Sequence, residues 1–232
     1  MSEEPKTTSA VLWRSLFSLV VFNLFLAAVL FIPAGSIHWW NGWFFMAFFT
    51  LLTIPSIIYL WRVNPDIFVA RSKIHAGSKG WDLIIVPILL LAFFAIFLVA
   101  GFDIRFHWSS VPVGIIAVGY ALTAVGYLGS VWVYGANKFA EPTVRIQKDR
   151  GQTVISTGPY AIVRHPLYTW SFLLMYGFPL ALGSYWAIVP GVVATITLVV
   201  RTAIEDRTLQ AELEGYKEYA GRVRYRLIPG VW

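Results

Sequence analysis

The 232-residue chain contains no cysteine, so disulfides, thiolate nucleophiles and cysteine-ligated metals are excluded at the outset. Charge is scarce as well: Asp, Glu, Lys and Arg make up 13% of the residues, against 58% hydrophobic and 17% aromatic. A soluble domain carries about 25% charged residues, so the composition excludes one. The histidines, at positions 38, 75, 107 and 165, are scattered without ligand spacing, and no metal site is expected. No Gly-x-Gly-x-x-Gly follows a strand pattern, which removes a soluble dinucleotide fold. Ser and Asp are too sparse around His165 for a hydrolytic triad.

What the chain does have is long apolar runs. Residues 11–31, 39–61, 81–101 and 113–134 are each long enough to cross a bilayer core of about 30 Å, which takes about 20 residues. Two shorter runs, 166–182 and 185–200, are joined only by Gly183-Ser184 and read as a helical hairpin, with room for the second to continue as helix through 201–205. The expectation is an all-α integral membrane bundle of about six transmembrane helices. Residues 1–9 are polar, and no small-residue cleavage pattern follows the first run, so they read as an uncleaved tail. The fourth run carries Gly114, Gly119, Gly126 and Gly129 among Ala and Thr, the composition of a helix that packs closely on a neighbour. Near the C-terminus Leu209, Leu213, Tyr216, Ala220 and Val223 recur at three- and four-residue steps, with Glu212, Glu214, Lys217 and Glu218 elsewhere. That pattern describes one amphipathic helix at the membrane interface, ended by Gly221.

Six crossings put the N-terminal tail, 62–80, 135–164 and the C-terminal tail on one side. Of 18 Lys and Arg residues, all but Arg105 fall there. This asymmetry assigns that side to the cytoplasm and accounts for the net charge of +6 without nucleic acid.

Two polar clusters stand out against the apolar background. In the first, Gly158-Pro159 forces a turn, and Pro166 suits the first position of a helix, where no N–H is needed. Arg164, His165 and Tyr168 then sit at the mouth of a membrane helix, whose free N–H groups can hold an anion; the plainer reading is interfacial flanking charge and an aromatic belt. In the second cluster Arg201 and Glu205 are four apart and share a helix face. They read either as an ion pair at the end of the last span, or as the two halves of a site, Arg201 for an anionic group and Glu205 for a cationic one. Both clusters lie at cytoplasmic helix ends, so one site could combine them.

From about 137 to 229 the chain resembles the isoprenylcysteine carboxyl methyltransferase family, whose C-terminal fold is shared with phospholipid N-methyltransferases. The residues that carry the likeness are Gln147, Gln152 to Ile155, Gly158-Pro159-Tyr160, Arg164-His165-Pro166-Leu167-Tyr168 and Arg201-x-x-x-Glu205-Asp206, followed by the 216–229 tail. The resemblance is to bacterial-type members. It implies S-adenosylmethionine as methyl donor, contacted by Gln147, Gln152, Thr153, Val154, Ile155, Tyr160, His165, Pro166, Leu167, Tyr168 and Glu205. Arg201 would hold the substrate, and Arg201 with Glu205 would carry catalysis. The chemistry suits these roles: an acid for the donor's ammonium, N–H and O–H donors for its carboxylate, and a guanidinium fork for an acceptor carboxylate. A carboxylate acceptor needs no general base, whereas an amine or thiol would need Glu205 or His165 to take its proton. This chain departs from the pattern at Trp170, where the family usually has glycine, and at Gln152, where a histidine is common.

The implied function is carboxyl O-methylation of an isoprenylcysteine or related lipophilic carboxylate. The acceptor is then a prenylated or lipophilic molecule reached from membrane lipid, with neither nucleic acid nor metal as partner. Residues 1–134 form the N-terminal transmembrane region and 135–232 the catalytic region. The location implied is a bacterial inner membrane with both termini and the site cytoplasmic. Phospholipid N-methylation and small-thiol S-methylation are the alternatives within the same chemistry. An NADPH-dependent sterol-type reductase is more distant, and a scaffold or transporter is disfavoured because the ionisable residues sit at helix ends rather than along a midplane path.

Overall fold

The computed structural model describes residues 6–72 and 74–232, and among these every regular element is helical. The polar tail before residue 6, and Lys73 of the charge tally, lie outside the described residues. In order the helices are α1 (Lys6–Ala34), α2 (Trp40–Val63), α3 (Asp66–Ala70), α4 (Gly80–Phe106), α5 (Val113–Ala136), α6 (Pro166–Leu182), α7 (Ile188–Glu212) and α8 (Tyr216–Arg222). Short 3-10 turns at Lys148–Arg150 and Gly158–Ala161 punctuate the long connection between α5 and α6.

Five of these helices, α1, α2, α4, α5 and α7, are long and apolar enough to cross a membrane. The protein is a multi-pass helical membrane protein. The expectation of six spans is met differently at α6, which has only 17 residues and is about 26 Å long at 1.5 Å per residue. No residue from Pro166 to Leu182 is exposed. Wrapped by its neighbours, α6 need not match the full thickness of the lipid.

Pro166 does start α6, and Gly183 ends it at φ 79°, with Gly183 N–H on the Leu180 carbonyl and Ser184 N–H on that of Pro179. The hairpin partner α7 is longer than the sequence pattern suggested, running to Glu212. The single amphipathic helix expected over 209–223 is instead broken. Leu213 leaves the helix in an extended conformation, Gly215 turns at φ 77°, and only the seven residues of α8 follow. A left-handed turn that glycine tolerates and other residues resist thus overrides the periodicity.

Packing is tightest between α5 and α6. A Cβ on Gly119 would lie 2.2 Å from the Ala181 nitrogen, and one on Gly126 would lie 2.9 Å from the Trp170 carbonyl oxygen. A Cβ on Gly129 would lie 2.2 Å from the Trp170 ring. Trp170, which stands where the family usually has glycine, therefore fills the groove of α5 and does not line the cleft described below. Gly114 faces open space and takes no part. Phe45, Phe49, Phe93 and Phe97 surround Phe178 of α6 and form the centre of the apolar core. A Gly119→Val substitution is expected to destabilise by about 1–3 kcal/mol, the usual cost of overpacking. Thermal unfolding in detergent, with Gly114→Ala as the neutral control, checks this.

Polar contacts sort the connections to two ends. Asn64 donates to the Tyr134 carbonyl at 2.6 Å, Lys79 N–H to that of Val144 at 2.8 Å, and Lys79 Nζ pairs with Glu212 at 2.7 Å. So 62–80, 135–164 and the end of α7 meet. At the other end buried Asp103 accepts from Ser109 and Ser184, and Arg105 lies against Gly35.

Candidate active site

A cleft at the first of these ends is walled by the 137–155 connection, the start of α6, the last turns of α7 and the turn into α8. It encloses about 860 Å³ of space free of protein atoms, including its open mouth. Gln147, Gln152, Thr153, Val154, Ile155, Tyr160, His165, Leu167, Tyr168, Arg201 and Glu205 all line it. The two sequence clusters are thus brought into one site. Pro166 is the exception: it is buried, starts the helix and does not reach the lining.

The geometry revises what several of these side chains do. Arg201 does not present a fork to the cleft, because Nε and Nη2 each donate at 2.8 Å to the two oxygens of Asp82, and Nη2 also donates to the Pro142 carbonyl. It forms no ion pair with Glu205, four residues on; its guanidinium lies 5.5 Å from the centre of the Tyr168 ring. Tyr168 in turn donates to Glu205 Oε2 at 2.5 Å. The expected free hydroxyl of Tyr168 is therefore already engaged.

Arg164 is likewise occupied. Its fork is on Asp206 at 2.8 and 3.0 Å, and Nη1 donates to the carbonyls of Val223 and Arg224. His165 Nε2 is 3.2 Å from Asp206 Oδ1; since a carboxylate only accepts, Nε2 donates in this contact. The imidazole stacks on Tyr168 with the rings 4° from parallel. Asp206 also takes Tyr216, Gln210 and Arg226, and main-chain bonds from Arg164 to Tyr225 and from His165 to Arg226 tie the tail down beside them.

On the opposite wall Gln147 is consumed by its own loop: Nε2 donates to the Phe139 carbonyl, Oε1 accepts from Arg150, and its N–H donates to Gln152 Oε1. Buried Glu141 takes the Arg145 fork at 2.7 and 2.8 Å, and Asp149 takes the rest of that guanidinium. The hydrogen bonds from Glu141 and then Asp149 raise the Arg145 pKa beyond its already high value. Tyr160, which accepts from Asn137, is raised mainly by burial, as are Tyr216 and Tyr219. These three phenols stay protonated.

Among the described residues, two unpaired features of the lining, besides Arg201 Nη1, bear on a ligand. One is Glu205 Oε1, since only Oε2 accepts from Tyr168. The other is main chain: the N–H groups of Thr153, Val154, Ile155 and, at the start of α6, Leu167 have no protein partner. A cleft whose lining leaves a carboxylate oxygen and a set of N–H donors unpaired suits a ligand carrying both a cation and a carboxylate.

The same ground is covered by a comparison with known families. Residues 115–214 match the phospholipid methyltransferase family model. The match spans most of α5, the loop wall, α6 and α7, which supply nearly all of the cleft, and it is less than half of the chain. No curated protein matches the chain.

Sequence reasoning missed Asp82 and the hub made by Asp206. A lone acid inside an apolar run was the available signal for Asp82, because a carboxylate in such a segment needs a partner. Asp206 was visible only as half of an acidic pair, and its partners come from three separate stretches of chain.

Proposed function

We propose that the protein is an S-adenosylmethionine-dependent methyltransferase acting on a lipophilic acceptor at a membrane surface, with site and termini on the cytoplasmic face of a bacterial inner membrane. The observation that supports this is an unpaired Glu205 oxygen together with the unpaired main-chain donors of 153–155 in the lining of one cleft, within the segment that matches phospholipid methyltransferases. Glu205 would hold the ammonium, and the N–H groups of Thr153, Val154, Ile155 and Leu167 the carboxylate. When bound, S-adenosylmethionine supplies an electrophilic methyl group on a sulfonium. The protein's part is to orient the two reactants and exclude water, since a carboxylate nucleophile is already ionised.

The acceptor that the sequence pattern favours is an isoprenylcysteine-type carboxylate. Arg201 would meet it through Nη1 alone, the rest of its fork being on Asp82. A second reading, a phospholipid amine, is supported by the charge balance: Arg145, Arg164 and Arg201 are each paired with buried carboxylates, and Glu205 is the lining charge without an ion pair among the described residues. In that case His165, held through Nε2 by Asp206, would take the amine proton at Nδ1.

Calorimetry on detergent-purified protein with S-adenosylmethionine and, separately, NADPH tests the reading. Binding of the first alone is expected, followed by methyl transfer in lipid nanodiscs to a farnesylcysteine analogue; transfer to phosphatidylethanolamine instead would establish the second acceptor. Binding of NADPH alone overturns the proposal in favour of a reductase.

A further inference from the structure

The chain segment before the matched region supplies a buried carboxylate behind the wall of the cleft. Asp82 lies in the first turn of α4, is wholly buried, and accepts from Arg201 Nε and Nη2 and, at 2.6 Å, from the Val144 N–H. Arg201 reaches it across 119 residues of sequence while standing one helical turn from Glu205 on α7. On a helix, residues four apart are natural partners, and opposite charges at that spacing attract. An arginine beside a carboxylate in a partly buried cleft would otherwise take that carboxylate. Here it does not: Glu205 makes no ion pair among the described residues, and one of its oxygens is free.

We infer that Asp82 is a positioning residue whose task is to hold Arg201 away from Glu205, so that the Glu205 carboxylate stays open for the cationic end of the methyl donor. The inference rests on the donor assignment proposed above. Asp82 acts through two contacts together. It neutralises and orients the Arg201 guanidinium over the Tyr168 ring, and through the Val144 N–H it fixes the 142–144 wall, whose Pro142 carbonyl takes the remaining Nη2 hydrogen bond. Tyr168, seated on the same guanidinium, completes the arrangement by donating to Glu205 Oε2 and leaving Oε1 unpaired. A helix α4 that reads as anchor is on this view part of the donor site.

The test separates this role from a plain structural pair. Asp82→Asn and Arg201→Gln both break the pair, but only Asp82→Asn leaves a free arginine next to Glu205. Calorimetric titration of S-adenosylmethionine into the full-length protein in detergent should show Asp82→Asn binding about tenfold or more weakly, the scale of losing a charge-assisted contact. Arg201→Gln, and the double variant that removes both charges, should each bind the donor at least about threefold more tightly than Asp82→Asn does. Melting temperatures recorded alongside are expected to fall for both single variants. Equal loss of donor affinity in the two single variants, following their melting temperatures, overturns the inference, as does failure of the double variant to recover affinity. Parent-like binding by Asp82→Asn also overturns it. A parent protein that does not bind the donor at all refutes the donor assignment itself and is read from the parent titration alone.

Discussion

Replacing Glu205 by Gln is expected to weaken S-adenosylmethionine binding by about 10- to 100-fold while leaving the melting temperature within about 2 °C of the parent. The two halves of this expectation have different causes. The carboxylate oxygen that faces the cleft unpaired is the lone anionic group left over once the other lining charges have found partners, so removing its charge removes the counter-ion for the donor's ammonium. A charge-assisted hydrogen bond of this kind is worth about 1.5–3 kcal/mol. Folding should be spared because the Gln carbonyl still accepts from Tyr168 and no buried ion pair is broken. Titration calorimetry gives the first number and a thermal melt the second. A variant that binds donor as tightly as the parent would remove Glu205 from the site.

Asp206→Ala should do the reverse, with its largest effect on stability. Asp206 is completely buried and receives Arg164, His165, Gln210, Tyr216 and Arg226, which belong to α7, the start of α6, α8 and the tail. Truncating one partner of a buried pair costs about 3–5 kcal/mol, because the charges left behind stay desolvated without compensation. For a chain of this size that corresponds to a fall of about 10 °C in melting temperature. The tail from Tyr216 onward should also come loose, since Arg164 and Arg226 lose their common anchor. Trypsin cleavage at Arg222 and Arg224 in the folded protein should then be faster than in the parent. Unchanged cleavage and stability would mean that the tail is held elsewhere.

The sequence made the long helices, the ends of α6 and much of one side of the cleft legible, because these depend on local signals. Apolar runs set the spans, Pro166 and Gly183 bracket α6, and the crowding of polar residues at two helix ends marked both halves of the site. Side-chain roles were far less legible. Arg201 and Glu205 share a face as their spacing requires, yet the partner that decides what Arg201 does stands on α4, 119 residues away in sequence. The same holds for Arg164, whose engagement with Asp206 and the tail carbonyls cannot be read from its neighbours. Spacing along a helix tells which residues could meet; competition among distant charges decides which do. The broken C-terminal helix repeats the lesson on the backbone, where Gly215 interrupts a periodic pattern that would otherwise continue.

The sheltered position of α6 has a mechanical consequence. The helix that begins with the histidine–tyrosine stack has no exposed residue between Pro166 and Leu182, whereas α1, α2, α4, α5 and α7 all present apolar side chains outward. Lateral pressure from the bilayer therefore bears on the outer helices and reaches the stack only through them. A change in lipid thickness is therefore expected to tilt the outer helices before it displaces the 166–182 segment.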